Sequence, residues 1–171
     1  ITKLIAIGES SDLEFKSTAR WNIRESKKDQ EIEKVILKTA AGFLNSERGG
    51  TLLIGVEDDG TLCGIELDYQ TFSKEKDHNV DAYERWLYGL LLNMFGHEFS
   101  SQFHISFHTV DKATICKLVI EPAQVPAFVT IKNQFGQDED IFYIRTGNST
   151  NSLRTRDFLA YYKTHWLRQS F

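Results

Sequence analysis

The segment GESSDLEFKS places Glu14 and Lys16 two positions apart, interleaved with the apolar Leu13 and Phe15. In a strand, that alternation puts the carboxylate and the ammonium on one face and the apolar pair on the other. A Glu-x-Lys pair on one face suits phosphodiester cleavage. The carboxylate holds a divalent metal ion, and the ammonium stabilises the charge that develops on the phosphate. Glu9, in the Gly-Ser loop just upstream, can fold back over that face. The plainer alternative is a solvated strand face carrying an ion pair.

Glu57, Asp58 and Asp59 form a second acidic group at the end of the apolar run TLLIGV. Hard oxygens at a strand end suit Mg²⁺ or Mn²⁺. Asp59 directly precedes Gly60 and is accounted for by a turn, which does not require Asp58. From Lys16 onward a third group follows: Arg20, Trp21, Arg24, Lys27 and Lys28. These offer cations for a phosphate backbone and an indole for stacking on bases. The alternative is a solvated loop with one aromatic anchored in the core. In RTGNSTNSLR, Asn148, Ser149 and Thr150 supply donors suited to a phosphate, or else a turn leading to a helix cap. Neither G-x-x-x-x-G-K-[ST] nor G-x-G-x-x-G occurs, so no nucleotide cofactor is expected. His104 and His108 would lie roughly 13 Å apart along a strand, too far to share a metal.

The elements that must position these groups follow from periodicity. Residues 3–6 and 12–16 read as strands around a turn at 8–11. A helix is expected over 30–44, capped by Asp29 and ending near Asn45. TLLIGV reads as a buried strand, with TLCGIE returning across the Asp59-Gly60 turn. Residues 67–78 read as a charged loop and 80–95 as a second helix. Strands 102–110 and 113–120 form a hairpin about Asp111-Lys112. AFVTIK and IFYIRT are strands separated by a polar loop at 133–140, and a last helix starts near 155. The expected fold is α+β, a mostly antiparallel sheet with about three packed helices, in a single domain spanning 1–171.

Composition bounds the rest. With 171 residues, 41% apolar and 26% charged, the chain has enough for one core and too little for two domains. The net charge of −4 excludes a uniformly basic coat but leaves room for a local basic patch. No apolar run is long enough to span a membrane. Cys63 and Cys116 belong to no C-x-x-C pair, which points to a reducing, cytoplasmic setting. The chain starts at Ile1, so it reads as a piece of a longer protein with an attached effector or sensor domain.

Taken in order, GESSDLEFKST, AAGFLNSERGG, TLLIGVEDDGTLCGIE and FYIRTGNST before a final helix resemble the Schlafen AlbA_2 domain family. That resemblance implies a nucleic-acid-binding domain of bacterial type. In the mammalian Schlafen core, two such lobes form a U-shaped pseudo-dimer that cleaves structured RNA through three acidic residues and a divalent metal. Matched by motif, the acids are Glu9, Glu14 and Asp58, with Lys16 following Glu14. Three readings result: a metal-dependent endoribonuclease using Mg²⁺ or Mn²⁺, a non-catalytic RNA- or DNA-binding module, or a dimerisation domain. A homodimer would restore a two-sided cleft, with Tyr161 and Phe171 as interface candidates.

Overall fold

The computed structural model describes residues 1–72 and 78–167. In chain order its elements are α1 (Thr2–Ile7), β1 (Leu13–Lys16), β2 (Trp21–Asn22), β3 (Lys27–Lys28), α2 (Gln30–Leu44), β4 (Gly50–Ile54), α3 (Glu66–Tyr69), α4 (Val80–Phe95), a 3-10 turn at His97–Gln102, β5 (Phe103–Val110), β6 (Ala113–Ile120), β7 (Phe128–Lys132), β8 (Asp138–Thr146), β9 (Ser149–Ser152) and α5 (Thr155–His165). The fold is α+β with mostly antiparallel sheets, as expected, and three of its helices are long.

A four-stranded sheet ordered β1-β4-β6-β5 forms the centre. Its β1–β4 pair is parallel, with Glu14 beside Leu52 and Lys16 beside Ile54. A parallel pair needs a crossover, and α2 supplies it. Asp29 caps α2 by accepting from the Glu31 amide at 2.9 Å. One face of the sheet, carrying Leu52, Ile54, Cys116 and Leu118, packs on Ile36, Phe43 and Leu44 of α2 and on Tyr83, Leu87 and Leu91 of α4. Burying each large side chain here contributes about 1.5–3 kcal/mol. The other face, with Leu13, Phe15, Leu53 and Ile115, is covered by Ile1, Leu4 and Ile5.

A second sheet, β7-β8-β9, lies against α2 as well. Gly42 permits this approach, since a Cβ there would stand 3.1 Å from Thr150 Cγ2 and 3.3 Å from Arg145 Cδ. Asn45 ties the two together. Its side-chain amide donates to Ala127 O at 2.8 Å and Tyr143 O at 2.9 Å, and its oxygen accepts from the Ala127 amide at 2.8 Å.

Four local expectations need correcting. Residues 2–7 are helical, because Ile1, Leu4 and Ile5 recur at helical spacing and cover the outer sheet face. The return after Gly60 makes one bridge, Val56 to Leu62, and no strand, since α3 starts at Glu66, the last residue of TLCGIE, and runs on into the segment read as a loop. The polar loop is shorter than 133–140. Asn133 Oδ1 accepts from the amides of Phe135 and Gln137, and pairing resumes with Lys132 opposite Asp138. GNST spans the end of a hairpin: Gly147-Asn148 is the turn, and Ser149 and Thr150 begin the return strand, with Arg145 opposite Thr150. The hairpin at Asp111-Lys112 is as expected, both residues having positive φ (48° and 72°), the conformation of a two-residue turn.

Among the described residues, no helix is long and apolar enough to cross a membrane. Of the two interface candidates, Tyr161 donates its hydroxyl to Asn45 O at 2.6 Å and stacks on His165, so it packs within its own chain. Phe171 lies outside the described residues.

Candidate nucleic-acid interface

Strand alternation puts Glu14 and Lys16 on the face of β1 that meets α2. That face is not solvated: Glu14 is 8% exposed. Its Oε1 accepts from Lys16 Nζ at 2.6 Å, and its Oε2 accepts from Arg145 Nη1 at 2.8 Å. Arg145 comes from β8, and its side chain is only 3% exposed. Its remaining donors reach Thr150 Oγ1 at 3.1 Å, Ser10 O at 2.8 Å and Ser11 O at 3.3 Å, and its guanidinium lies 4.9 Å from the Phe43 ring centroid. Glu9 does fold back. Its Oε1 accepts from the Phe15 amide at 2.9 Å and stands 4.0 Å from Lys16 Nζ. Two carboxylates and two cations therefore balance one another at the border of the core.

Asp58 is not part of this group. It is exposed on the turn beyond β4, while Glu14 sits opposite Leu52. Among the described residues, no three His, Cys, Asp or Glu side chains stand close enough to hold a metal ion. The structure thus brings Glu9, Glu14 and Lys16 together and leaves Asp58 apart. Asp59 is a turn residue whose carboxylate accepts from the Thr61 amide at 2.8 Å.

Beside Glu14 and Lys16 runs a groove of about 440 Å³. One wall is α2, through Val35, Lys38 and Thr39, and the other is the tip of the β8–β9 hairpin, through Asn148 to Asn151. Asn148, Ser149 and Asn151 are exposed, and Lys38 is half-buried. Lys38 was not anticipated. Its position one helical turn past Val35 and Lys34 carries no local mark of a binding role. A second hollow of about 320 Å³ lies toward the start of α2, lined by Ser17, Trp21, Arg24, Ile32 and Glu57 among others. Lys16 and Ser17 are consecutive, and Ile32 and Val35 are one helical turn apart, so the two hollows follow one face of α2.

The basic segment divides. Arg24, Lys27 and Lys28 are exposed, and Trp21 is half-buried against the second hollow. They sit on the β2–β3 ribbon, where Trp21 pairs with Lys28. Asn22 holds its tip by accepting from the amides of Arg24 and Glu25 at 3.1 Å each. Lys27 pairs with Glu25 at 2.6 Å. Arg20 corrects the expectation of a surface cation: it is buried, 5% exposed, with its guanidinium 4.4 Å from the Trp86 ring centroid and 5.0 Å from that of Phe72. Its Nε lies 3.4 Å from Glu33 Oε1, and burial pulls its pKa down, with Glu33 and then Asp68 opposing. Two aromatic faces offset part of the lost hydration of this cation.

Asp68 falls in the segment that the sequence predicts as a charged loop. It is fully buried and accepts from the amides of Ala19, Arg20 and Trp21 at 2.9, 3.1 and 2.9 Å, and from the Tyr83 hydroxyl at 3.3 Å. This carboxylate fixes the turn that launches the β2–β3 ribbon. Burial raises its pKa, and the four donors pull the other way. No signal within the segment marks it, because the amides it accepts from lie almost fifty residues upstream.

Among solved structures, the crystal structure of the DIP2311 protein from Corynebacterium diphtheriae shares the fold. It has a TM-score of 0.56 and 16% identity over 91% of this chain. This chain spans 24% of that one's length. Among curated proteins nothing matches. The Schlafen AlbA_2 family model matches residues 9–154, from Glu9 through the hairpin that carries Arg145 and Asn148, and the chain belongs to that family.

Proposed function

We propose that this domain binds the phosphate backbone of RNA or DNA along the α2 face, between the β8–β9 hairpin and the β2–β3 ribbon. The observation that carries the reading is convergence. Lys16, Lys38, Asn148 and Ser149, from three distant parts of the chain, line one groove, and Trp21 and Arg24 line the second hollow. Cations and amide or hydroxyl donors are the groups that phosphates attract. Ile32 and the indole of Trp21 offer apolar surface to a base. The net charge of −4 fits a local site on an otherwise acidic chain.

The test is binding of labelled single-stranded RNA, duplex RNA and DNA over a salt series. Lys38→Glu and Asn148→Asp should weaken binding, and Lys38→Glu should flatten the salt slope by about 0.7–0.9. Lys163→Glu, on exposed α5 outside the groove, should leave binding unchanged. Affinity indifferent to salt, or equal in Lys38→Glu and the parent, overturns the reading.

A second reading is metal-dependent phosphodiester cleavage by Glu9, Glu14 and Asp58 with Mg²⁺ or Mn²⁺. It is favoured by the two carboxylates flanking Lys16 Nζ. As folded, these residues do not fit a metal ion, because both oxygens of Glu14 are engaged by cations and Asp58 is apart. Incubation of RNA and DNA with Mn²⁺, and separately with chelator, decides it. Cleavage that is lost in Asp58→Asn at unchanged melting temperature supports it. The two free thiols, Cys63 and Cys116, support a cytoplasmic setting.

A further inference from the structure

β5 is an edge strand: among the described residues, β6 is its only partner in the sheet. Which of its backbone groups face outward follows from one bond. The Glu121 amide donates to Gln102 O at 2.9 Å, so Gln102, His104, Ser106, His108 and Val110 point their N–H and C=O groups at β6. The backbone groups of Phe103, Ile105, Phe107 and Thr109 therefore face away. Tyr88 confirms the phase by donating its hydroxyl to Phe103 O at 3.1 Å. Among the described residues, nothing pairs with the outward groups of Ile105, Phe107 and Thr109.

Edge strands of this length are normally blunted by lysine, proline, a bulge or a cover. β5 runs eight residues with unbroken register and holds neither lysine nor proline. We propose that it is the seam of a two-fold homodimer, pairing antiparallel with β5 of a second copy about Phe107. The register is self-complementary. Phe107 meets Phe107 of the other copy and Ile105 meets Thr109, so all outward N–H and C=O groups of those three residues find partners. The seam ends where Tyr88 already occupies the Phe103 carbonyl and where the Asp111-Lys112 turn begins. On the opposite face His108 falls beside Ser106 and His104 beside Val110, with no like-charged pair at neutral pH. An isologous contact of this kind is the commonest way for identical chains to assemble.

The two-fold axis of an antiparallel pair stands perpendicular to the sheet, so both copies present the α2 side on the same face of an eight-stranded sheet. The two β1 strands are then seven strand-to-strand steps apart, roughly 34 Å. That is about one turn of duplex. Resting on the proposed binding site, a dimer spans a duplex longer than one turn with both grooves.

Light scattering without nucleic acid tests the seam apart from the binding site. The expected result is a mass rising with concentration toward twice 19.7 kDa. Thr109→Pro removes an outward N–H that β6 does not use, and Thr109→Lys adds a blunting charge. Both should hold the chain at monomer mass with an unchanged circular dichroism spectrum. A monomer at every concentration overturns the proposal, as does a dimer that both variants leave intact. With dimerisation confirmed, the parent should prefer long over short duplexes more strongly than Thr109→Lys. Equal preference removes the spanning geometry and leaves the seam standing.

Discussion

Glu14 and Arg145 stand 131 positions apart in the chain and 2.8 Å apart in space, joining the first strand of the central sheet to the hairpin of the second. With side chains 11% and 3% exposed, the pair is shielded from solvent. Removing one member strands the other in a low-dielectric border, which typically costs about 3–5 kcal/mol. Arg145→Met and Glu14→Gln should each lower stability by about 3 kcal/mol, softened by Lys16 and the Ser10 carbonyl. The double variant Glu14→Gln/Arg145→Met should recover part of the loss. Denaturant unfolding of the four proteins reads the coupling. It also cautions against Glu14→Gln as a probe of cleavage, since it disturbs the fold that positions the groove.

The half of this relationship that lies on β1 was legible in the sequence, because alternation is local. LEFK shows which side Glu14 faces whatever lies across from it. Arg145 was not legible as its partner, because RTGNST reads as a donor-rich turn and nothing in it points to position 14. Arg20 shows the converse failure. A run of cations suggests a wet surface, but burial depends on Phe72 and Trp86, which arrive from α4 and the segment before it. Asp68 failed for the same reason. Helices 30–44 and 80–95 and the Asp111-Lys112 hairpin were readable, since caps, helical periodicity and turn residues act within a few positions.

Asp68 offers a sharper test of how the β2–β3 ribbon is held. Asn at this position keeps the size but has one acceptor oxygen, and its amide nitrogen would face backbone N–H groups. Asp68→Asn should cost about 2–3 kcal/mol through unsatisfied buried donors. It should also speed hydrogen exchange at Ala19, Arg20 and Trp21 above all. Unchanged exchange at those amides would show that the turn holds without the carboxylate.

The cysteines should be inert in the folded state. Burial pushes the Cys63 thiol up to about 11 and the Cys116 thiol well beyond the usual range. Little thiolate, the reactive form, is therefore present near neutrality. A disulfide reagent at mildly alkaline pH should react slowly with the native protein and quickly with two thiols once denaturant is added.

Acid should weaken the C-terminal packing through His165. Its ring stacks on Tyr161 and abuts Trp166, and burial lowers its pKa, with Glu47 opposing. A base with a lowered folded pKa binds fewer protons folded than unfolded. Its contribution is complete above the unfolded value of about 6.5 and is lost as pH falls through the folded value. His165→Gln should flatten the melting-temperature profile below neutrality.

Arg20 and Arg24 lie four residues apart and should separate fold from function. Arg24 is exposed beside the second hollow, and its side chain takes no part in the core. Arg24→Ala should leave the melting temperature within error, weaken nucleic-acid binding similarly across sequences, and reduce the salt slope by about 0.7–0.9. Arg20 is enclosed by Trp86 and Phe72 and faces Glu33. Among the described residues, Arg20→Ala leaves the Glu33 carboxylate with Lys28, 4.0 Å away, as its one cation, and opens space between two rings. It should cost about 3 kcal/mol. Any loss of binding should then track unfolding, with the salt slope of the folded fraction unchanged. Measuring both constants on both variants separates the two roles. If Arg20→Ala changes the salt slope at a temperature where it is fully folded, Arg20 reaches the phosphate backbone, and the basic segment acts as a whole.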